Sequence, residues 1–265
     1  MTGIYFSGTG NTRHCIEKFI QEFSILSQPR AFSGKQSASS KRTAQTPVVS
    51  IEESSPAAKA LQDAQDIIVL AYPVYYSNLP KIMRDFIVEN KDAWKGKKVY
   101  ILCTMGLFSG DGTGVSARLL RKYGASVIGG LHLIMPDSIC DVKILKYPPE
   151  KNRQIIAKAD RKLEKAARKM AVGSPTREGL GFFSHLAGFF GQRLWFYRKT
   201  LHYSDKLKIN PDACIRCGRC VGLCPMHNLS LSGNKITAGG SCTMCYRCIS
   251  QCPVKAITLI GKKVI

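Results

Sequence analysis

Tyr5-Phe6-Ser7-Gly8-Thr9-Gly10-Asn11-Thr12 ends the first apolar run of the chain in six residues that carry a hydroxyl, an amide or no side chain, and no charge. Upstream, residues 3–7 read as a short, fully buried strand. Downstream, Cys15, Ile16, Phe19, Ile20 and Phe23 recur at helical spacing. A strand, a tight loop of small residues and a helix start make an anion site, because unpaired backbone N–H groups and the helix dipole converge on one point. Ser7, Thr9 and Thr12 add hydroxyl donors. The loop lacks the Gly-x4-Gly-Lys-Ser/Thr of nucleoside triphosphate sites and the Gly-x-Gly-x-x-Gly of dinucleotide sites, so both ligands are disfavoured. A Gly/Ser-rich turn holding nothing is the structural alternative.

The pattern repeats along the chain. Apolar runs at residues 47–51, 66–71, 98–104 and 126–134 alternate with helical patterns, notably Leu79, Ile82, Met83, Phe86 and Ile87, then Val115, Leu119, Leu120 and Tyr123. Continuous apolar strands alternating with helices predict a five-stranded parallel sheet covered on both faces, an α/β fold within residues 1–134. An amphipathic basic helix over residues 149–172 supplies a last cover, giving a unit of residues 1–172. Open parallel sheets place ligands at the carboxyl ends of their strands. That rule makes the loops after the third and fourth strands candidate binding segments: Pro73, Tyr75, Tyr76, Ser77 and Asn78 in one, Thr104, Met105, Gly106 and Phe108 in the other. Residues 27–46 are polar and aperiodic and read as a long surface loop. Residues 173–205 are aromatic, basic and broken by glycines, which suits a connector bracing two units better than an interfacial membrane anchor.

Eight of the 11 cysteines crowd between Cys214 and Cys252. With no signal-peptide pattern at Met1, a disulfide framework is not expected, metal binding is the better reading, and the location is cytoplasmic. No apolar stretch reaches the ~20 residues of a membrane span, so at most peripheral membrane contact is expected. Cys214-Ile-Arg-Cys217-Gly-Arg-Cys220-Val-Gly-Leu-Cys224-Pro225 recurs as Cys242-Thr-Met-Cys245-Tyr-Arg-Cys248-Ile-Ser-Gln-Cys252-Pro253, an internal repeat at an offset of 28 in which Arg219 also matches Arg247 and Gly233 matches Gly261. Zinc sites pair two Cys-x2-Cys knuckles and do not explain two triplets each followed by Cys-Pro. Cys15, Cys103 and Cys140 stand alone and read as small buried hydrophobes.

Two resemblances follow from these motifs. The Cys-x2-Cys-x2-Cys-x3-Cys-Pro repeat closely resembles bacterial two-cluster ferredoxins. That resemblance implies an α+β ferredoxin-like unit at residues 206–265 with two 4Fe-4S clusters, one on Cys214, Cys217, Cys220 and Cys252, the other on Cys242, Cys245, Cys248 and Cys224. The loop Ser7-Gly8-Thr9-Gly10-Asn11-Thr12 resembles the flavodoxin phosphate loop, and implies FMN with its phosphate on amides and hydroxyls and a sheet of order 2-1-3-4-5. With the Tyr72-Pro73-Val74-Tyr75 loop, Leu79-Pro80 and the Met135-Pro136 pair, the chain resembles fusions of a flavodoxin-like domain to a two-cluster ferredoxin in anaerobes. Such a fusion implies an electron-transfer flavoprotein, or an FMN-dependent reductase of a small conjugated acceptor such as a quinone.

The formal charge of +21 sets the chain apart from acidic flavodoxins. Residues 206–265 hold nine Lys or Arg against Asp212 alone, so an acidic redox partner, a ferredoxin or flavodoxin, is expected. Nucleic acid has only the charge in its favour and is not expected as a partner. Arg216, Arg219, Arg247 and Lys255 should raise the cluster potentials somewhat. No acid, base or nucleophile arrangement marks a catalytic residue, and His14, His132, His185, His202 and His227 read as structural.

Overall fold

The computed structural model describes residues 1–27, 47–75, 78–108, 111–188, 190 and 206–265. The five apolar runs form β1 (Thr2–Tyr5), β2 (Val48–Ser50), β3 (Ile67–Pro73), β4 (Lys98–Met105) and β5 (Ser126–Ile134). All pair in parallel, in the order β2-β1-β3-β4-β5. This is the doubly wound flavodoxin-like order, whose direction reverses between β1 and β3.

Alternation along each strand explains why the runs are continuously apolar. On one face Ile68, Leu70 and Tyr72 of β3 pack with α2 (Ser54–Asp63), α3 (Lys81–Glu89) and α4 (Gly112–Lys122) through Leu61, Met83, Ile87 and Leu120. On the other, Val69 and Ala71 pack with α1 (Asn11–Ser27) and α5 (Pro149–Ala171) through Ile16, Phe19, Leu163 and Met170. Phe19 stacks on Tyr100 of β4 with ring centroids 5.2 Å apart, and burying an aromatic of this size contributes about 2–3 kcal/mol. The sequence pattern picks out four of the five helices. Helix α2 buries only Ala57 and Leu61, too thin a stripe to stand out as a period.

Residues 174–180 lie along the outer edge of β5: Gly130 donates to Thr176 O, and Glu178 donates to Gly130 O. Thr176 and Tyr100 hydroxyls meet at 2.5 Å, and Thr113 Oγ1 donates to Glu178 O at 2.6 Å. The chain then forms α6 (Phe182–Gly188), on which Phe182 and Phe183 face out. These connector aromatics, expected between the two units, therefore do not brace them. Ser27, the first residue of the surface loop expected at residues 27–46, ends α1. That leaves residues 28–46 of the loop, and residues 189 and 191–205 complete the connector. All of these lie outside the described residues.

The C-terminal unit contains β6 (Lys208–Ile209), α7 (Arg219–Leu223), β7 (Leu229–Ser232), β8 (Lys235–Ala238), α8 (Arg247–Ser250) and β9 (Ile257–Thr258), with β6 antiparallel to β9 and β7 to β8. The 28-residue offset carries β6 onto β8, α7 onto α8 and β7 onto β9. Backbone detail repeats too. Left-handed residues occur in matched pairs, Arg216 with Met244, Gly218 with Tyr246 and His227 with Lys255. Asn228 N–H donates to Cys224 Sγ and Ala256 N–H to Cys252 Sγ, both at 3.3 Å. No helix among the described residues is long and apolar enough to cross a membrane.

Candidate functional site

The loop that opens the sequence lies at the carboxyl end of β1, beside the β1/β3 reversal. Gly10 N–H donates to Ser7 Oγ at 3.1 Å, while the N–H groups of Ser7, Gly8 and Thr9 make no hydrogen bond to another described residue. The first N–H groups of α1 add to this array, since a helix cannot satisfy its own first turn. Two other side chains also anchor the loop: Thr12 Oγ1 meets Thr104 Oγ1 at 2.8 Å in a buried contact, and Asn11 Nδ2 donates to Pro136 O at 2.8 Å. They tie the loop to the ends of β4 and β5. Thr9 is exposed.

A cavity of about 320 Å³ runs from this loop between the ends of β3, β4 and β5. Of the residues picked out from sequence, Ser7, Gly8, Thr9, Asn11, Thr12, Pro73, Tyr75, Thr104, Met105, Gly106 and Phe108 line it. Gly10 borders an adjoining open cleft. Asn78 does not line the cavity; its Oδ1 accepts the Leu79 N–H at 2.9 Å. Tyr76 and Ser77 lie outside the described residues. The segment after β5 also lines the cavity, and only its Met135-Pro136 pair carried a signal in the sequence. Asp137 from this segment packs its carboxylate against Gly106, where a Cβ would collide with it. Asp137 Oδ1 accepts the Ile139 N–H at 2.9 Å. Burial holds this carboxyl above the ordinary carboxylate range. An N–H array at one end and flat apolar walls from Val74, Met105, Met135 and Phe108 fit a phosphorylated planar ring such as FMN.

In the C-terminal unit, Cys214, Cys217, Cys220 and Cys252 line one cavity, and Cys224, Cys242, Cys245 and Cys248 line another. Each therefore joins three cysteines of one repeat to the Cys-Pro cysteine of the other. Among the described residues no three or more His, Cys, Asp or Glu stand close enough round one point to hold a single ion; the thiols are spread around the two cavities instead. Thr243 Oγ1 and Asn228 Nδ2, both at the second cavity, are buried without a hydrogen-bond partner among the described residues. That leaves polar hydrogens available to cluster sulfur. Desolvation pushes the Cys245 thiol up to about 11, and Cys242 and Cys248 upward as well. Metal binding would have to displace those protons. The thiol sets fit an iron–sulfur group at each cavity, and the unpartnered donors add to the fit at the second.

The second cysteine triplet presses directly on the Ser7–Thr12 loop. A Cβ on Gly8 would lie 2.6 Å from the Tyr75 hydroxyl, 2.7 Å from the Cys245 carbonyl oxygen and 3.2 Å from the Cys245 Cβ, so only glycine fits between them. Arg247 fastens the contact. Its Nε donates to Gly8 O at 3.0 Å and its Nη2 to Ser7 O at 2.7 Å. Glu52, from the loop after β2, takes the rest of the fork at 2.6 and 2.7 Å. A trans peptide points its C=O and N–H in opposite directions. By holding the carbonyls of Ser7 and Gly8, Arg247 turns the N–H groups of Gly8 and Thr9 away from itself. The Glu52 carboxylate also offsets the charge that Arg247 would otherwise present to the cluster site.

Beside this clamp, Tyr246 donates its hydroxyl to Asp141 Oδ1 at 3.0 Å, and Asp141 Oδ2 accepts the N–H groups of Leu259 and Ile260 at 2.8 and 3.1 Å. Tyr246 and Asp141 are both buried. Met244 and Tyr246 reach through to line the large cavity. None of Glu52, Asp141, Met244 or Tyr246 was signalled as a site residue by its sequence neighbourhood, because each acts on a residue far along the chain.

These features define the class: a flavodoxin-like α/β unit fused to a ferredoxin-like unit, with the cysteine module docked on the Ser7–Thr12 loop. Residues 206–253 match the family model described as 4Fe-4S dicluster domain. No curated protein matches the chain. Similar solved structures include the two-electron reduced Megasphaera elsdenii flavodoxin, at 22% identity and a TM-score of 0.40 over 64% of this chain and 99% of that one. A flavodoxin from the domain Archaea matches at 14% identity and a TM-score of 0.37, over 63% of this chain and 99% of that one. An oxidoreductase from Corynebacterium diphtheriae matches at 16% identity and a TM-score of 0.41, over 65% and 95%. The fold class stands on the sheet order itself.

Proposed function

We propose that this chain is a cytoplasmic electron-transfer iron–sulfur flavoprotein, relaying electrons between an acidic ferredoxin-type or flavodoxin-type protein, two 4Fe-4S clusters and FMN. The observation that carries this reading is the contact of Gly8 with Cys245, which sets the cluster-side cysteines against the flavin-side loop. When bound, iron–sulfur clusters exchange single electrons while FMN takes up one or two, so their union couples one-electron to two-electron chemistry. The protein's own part is positional. Cys214, Cys217, Cys220 and Cys252 hold the outer cluster, and Cys224, Cys242, Cys245 and Cys248 the inner one. Ser7 to Thr12 hold the phosphate, and Pro73, Tyr75, Gly106 and Phe108 enclose the ring. Met244 and Tyr246 close the cavity on the side facing the inner cysteines and keep water from that boundary. Eight thiols that must stay metal-bound suit a reducing compartment.

A second reading has its own observation. Leu107 and Phe108 stand 64% and 55% exposed at the cavity, an apolar edge on which a small conjugated acceptor such as a quinone could stack. The test of both readings is an anaerobic preparation with iron, acid-labile sulfide and flavin quantified, then reduced stepwise. About eight irons and one FMN per chain, bleaching in a connected series, support the relay. Clusters without flavin refute it, and turnover of a quinone with a chemical donor and no added protein favours the reductase.

A further inference from the structure

The repeat gives the two cysteine triplets the same spacing, and the fold treats them oppositely. Met244, Cys245, Tyr246 and Arg247 are covered by the flavodoxin-like unit. Their counterparts at the 28-residue offset, Arg216, Cys217, Gly218 and Arg219, are not: Arg216, Cys217 and Arg219 are exposed. The same backbone turn, with left-handed residues at the same two positions, is thus an internal docking face in one copy and a bare face in the other. Tyr246, which closes the inner contact, stands where the outer copy has Gly218. Gly261, packed on Asp141, matches Gly233, which has nothing within 4 Å of its Cβ position. Arg247 is held by Glu52 and the loop carbonyls, whereas among the described residues Arg219 reaches only Gln251, at 3.0 Å.

Resting on the relay reading, we infer that this outer face, built from Ile215, Arg216, Cys217, Arg219, Val254 and Lys255, is where an acidic one-electron protein docks. Ile215 is 60% exposed and Val254 37% exposed, which sets two apolar side chains beside Arg216 and Arg219 at the cavity of Cys214, Cys217, Cys220 and Cys252, with the exposed Lys255 next to Val254 in the chain. No ion pair is formed by Arg216, Arg219 or Lys255 with another described residue, and Asp212 is the one acid of the unit. Charge complementarity selects an acidic occupant and accelerates the encounter. In the step itself, one electron leaves the partner's reduced centre and enters the group held by those four cysteines. The partner is oxidised by one electron, this chain is reduced by one, and no bond or proton changes hands.

The experiment uses the anaerobic full chain with its cofactors. A reduced acidic two-cluster ferredoxin delivers electrons in a stopped-flow instrument over a range of salt concentrations. Photoreduction with deazaflavin serves as a delivery route that needs no docking. The variant is R216E/R219E, and K158E/K165E on α5 is matched to it in charge change. The expected result is a rate from ferredoxin that falls about tenfold or more in R216E/R219E and loses its salt dependence, with deazaflavin still reducing the clusters to completion. K158E/K165E should retain the parent rate. A rate unaffected by R216E/R219E, or lowered more by K158E/K165E, overturns the assignment. So does salt-sensitive self-association of the parent that R216E/R219E abolishes, since a second copy would then own the face. Should R216E/R219E lose iron, R216K gives a second test: it keeps the charge and adds an amine. Carbodiimide coupling to the ferredoxin must then map to position 216 or Lys255; coupling confined to α5 overturns the proposal. Failure of the relay is distinguishable, because clusters reduced by deazaflavin would then not pass electrons to flavin in the parent.

Discussion

Replacing Arg247 by alanine should undo the contact between the two units. The guanidinium is only 19% exposed and its partner Glu52 27% exposed, and it makes three bonds of 2.7 Å or shorter, to Ser7 O and to both Glu52 oxygens. Hydrogen bonds to a charged group contribute about 1.5–3 kcal/mol each when buried. The open cleft lined by Ser7, Gly8, Glu52 and Arg247 lets water replace much of this. The net loss is therefore roughly 2–3 kcal/mol, or about 30- to 150-fold in the equilibrium between docked and undocked units at ~1.4 kcal/mol per factor of ten. Because Arg247 orients the Ser7 and Gly8 carbonyls, FMN affinity should fall too, by about tenfold if one amide bond to the phosphate is lost. The assay is flash photoreduction of the clusters with the flavin spectrum as readout, alongside an FMN fluorescence titration. R247K keeps a charge but not the planar fork and should fall between parent and alanine. R219A, its repeat counterpart on the surface, should leave stability within about 0.5 kcal/mol of the parent. A variant R247A that matches the parent in both cluster-to-flavin rate and FMN affinity would refute the reasoning.

Other expectations follow from the same contacts. G261A places a Cβ against the Asp141 carbonyl, so thermal unfolding should show a loss of several kcal/mol, whereas G233A, strained only by its φ of 56°, should lose about 1 kcal/mol. Burial raises the folded-state pKa of Asp137, so the native state holds its proton more tightly and the ionised carboxylate costs stability as pH rises above the ordinary carboxylate range. D137N, which keeps an oxygen for the Ile139 N–H, should accordingly gain in melting temperature relative to the parent between pH 4 and pH 7; a constant difference would show the carboxylate is not desolvated. C252S should weaken the cluster shared with Cys214, Cys217 and Cys220, although residue 252 follows the other triplet in sequence. Iron analysis and low-temperature EPR would reveal instead a loss at the inner site if the crossed pairing is wrong.

Much of the molecule is written in short-range patterns. The Ser7–Thr12 loop, the apolar runs and the 28-residue cysteine repeat are local, because strand, turn and helix preferences and thiol spacing act over a few residues. They were enough to state the sheet, the ferredoxin-like unit and most of the cavity lining. Asn78, picked out from sequence, stays off the cavity because its side chain caps the next residue, a choice set by turn geometry that composition does not reveal. Helix α2 was passed over because only two of its side chains are buried. What tertiary structure alone decided is which of the two equally spaced cysteine triplets meets the Ser7–Thr12 loop. Their sequences carry the same spacing, the same arginine and the same backbone turns. The choice rests on Arg247 reaching Ser7 and Glu52 across separations of 240 and 195 residues, and on Tyr246 reaching Asp141 across 105. Contacts at such distances depend on how two folded surfaces fit, and no window of sequence contains both sides.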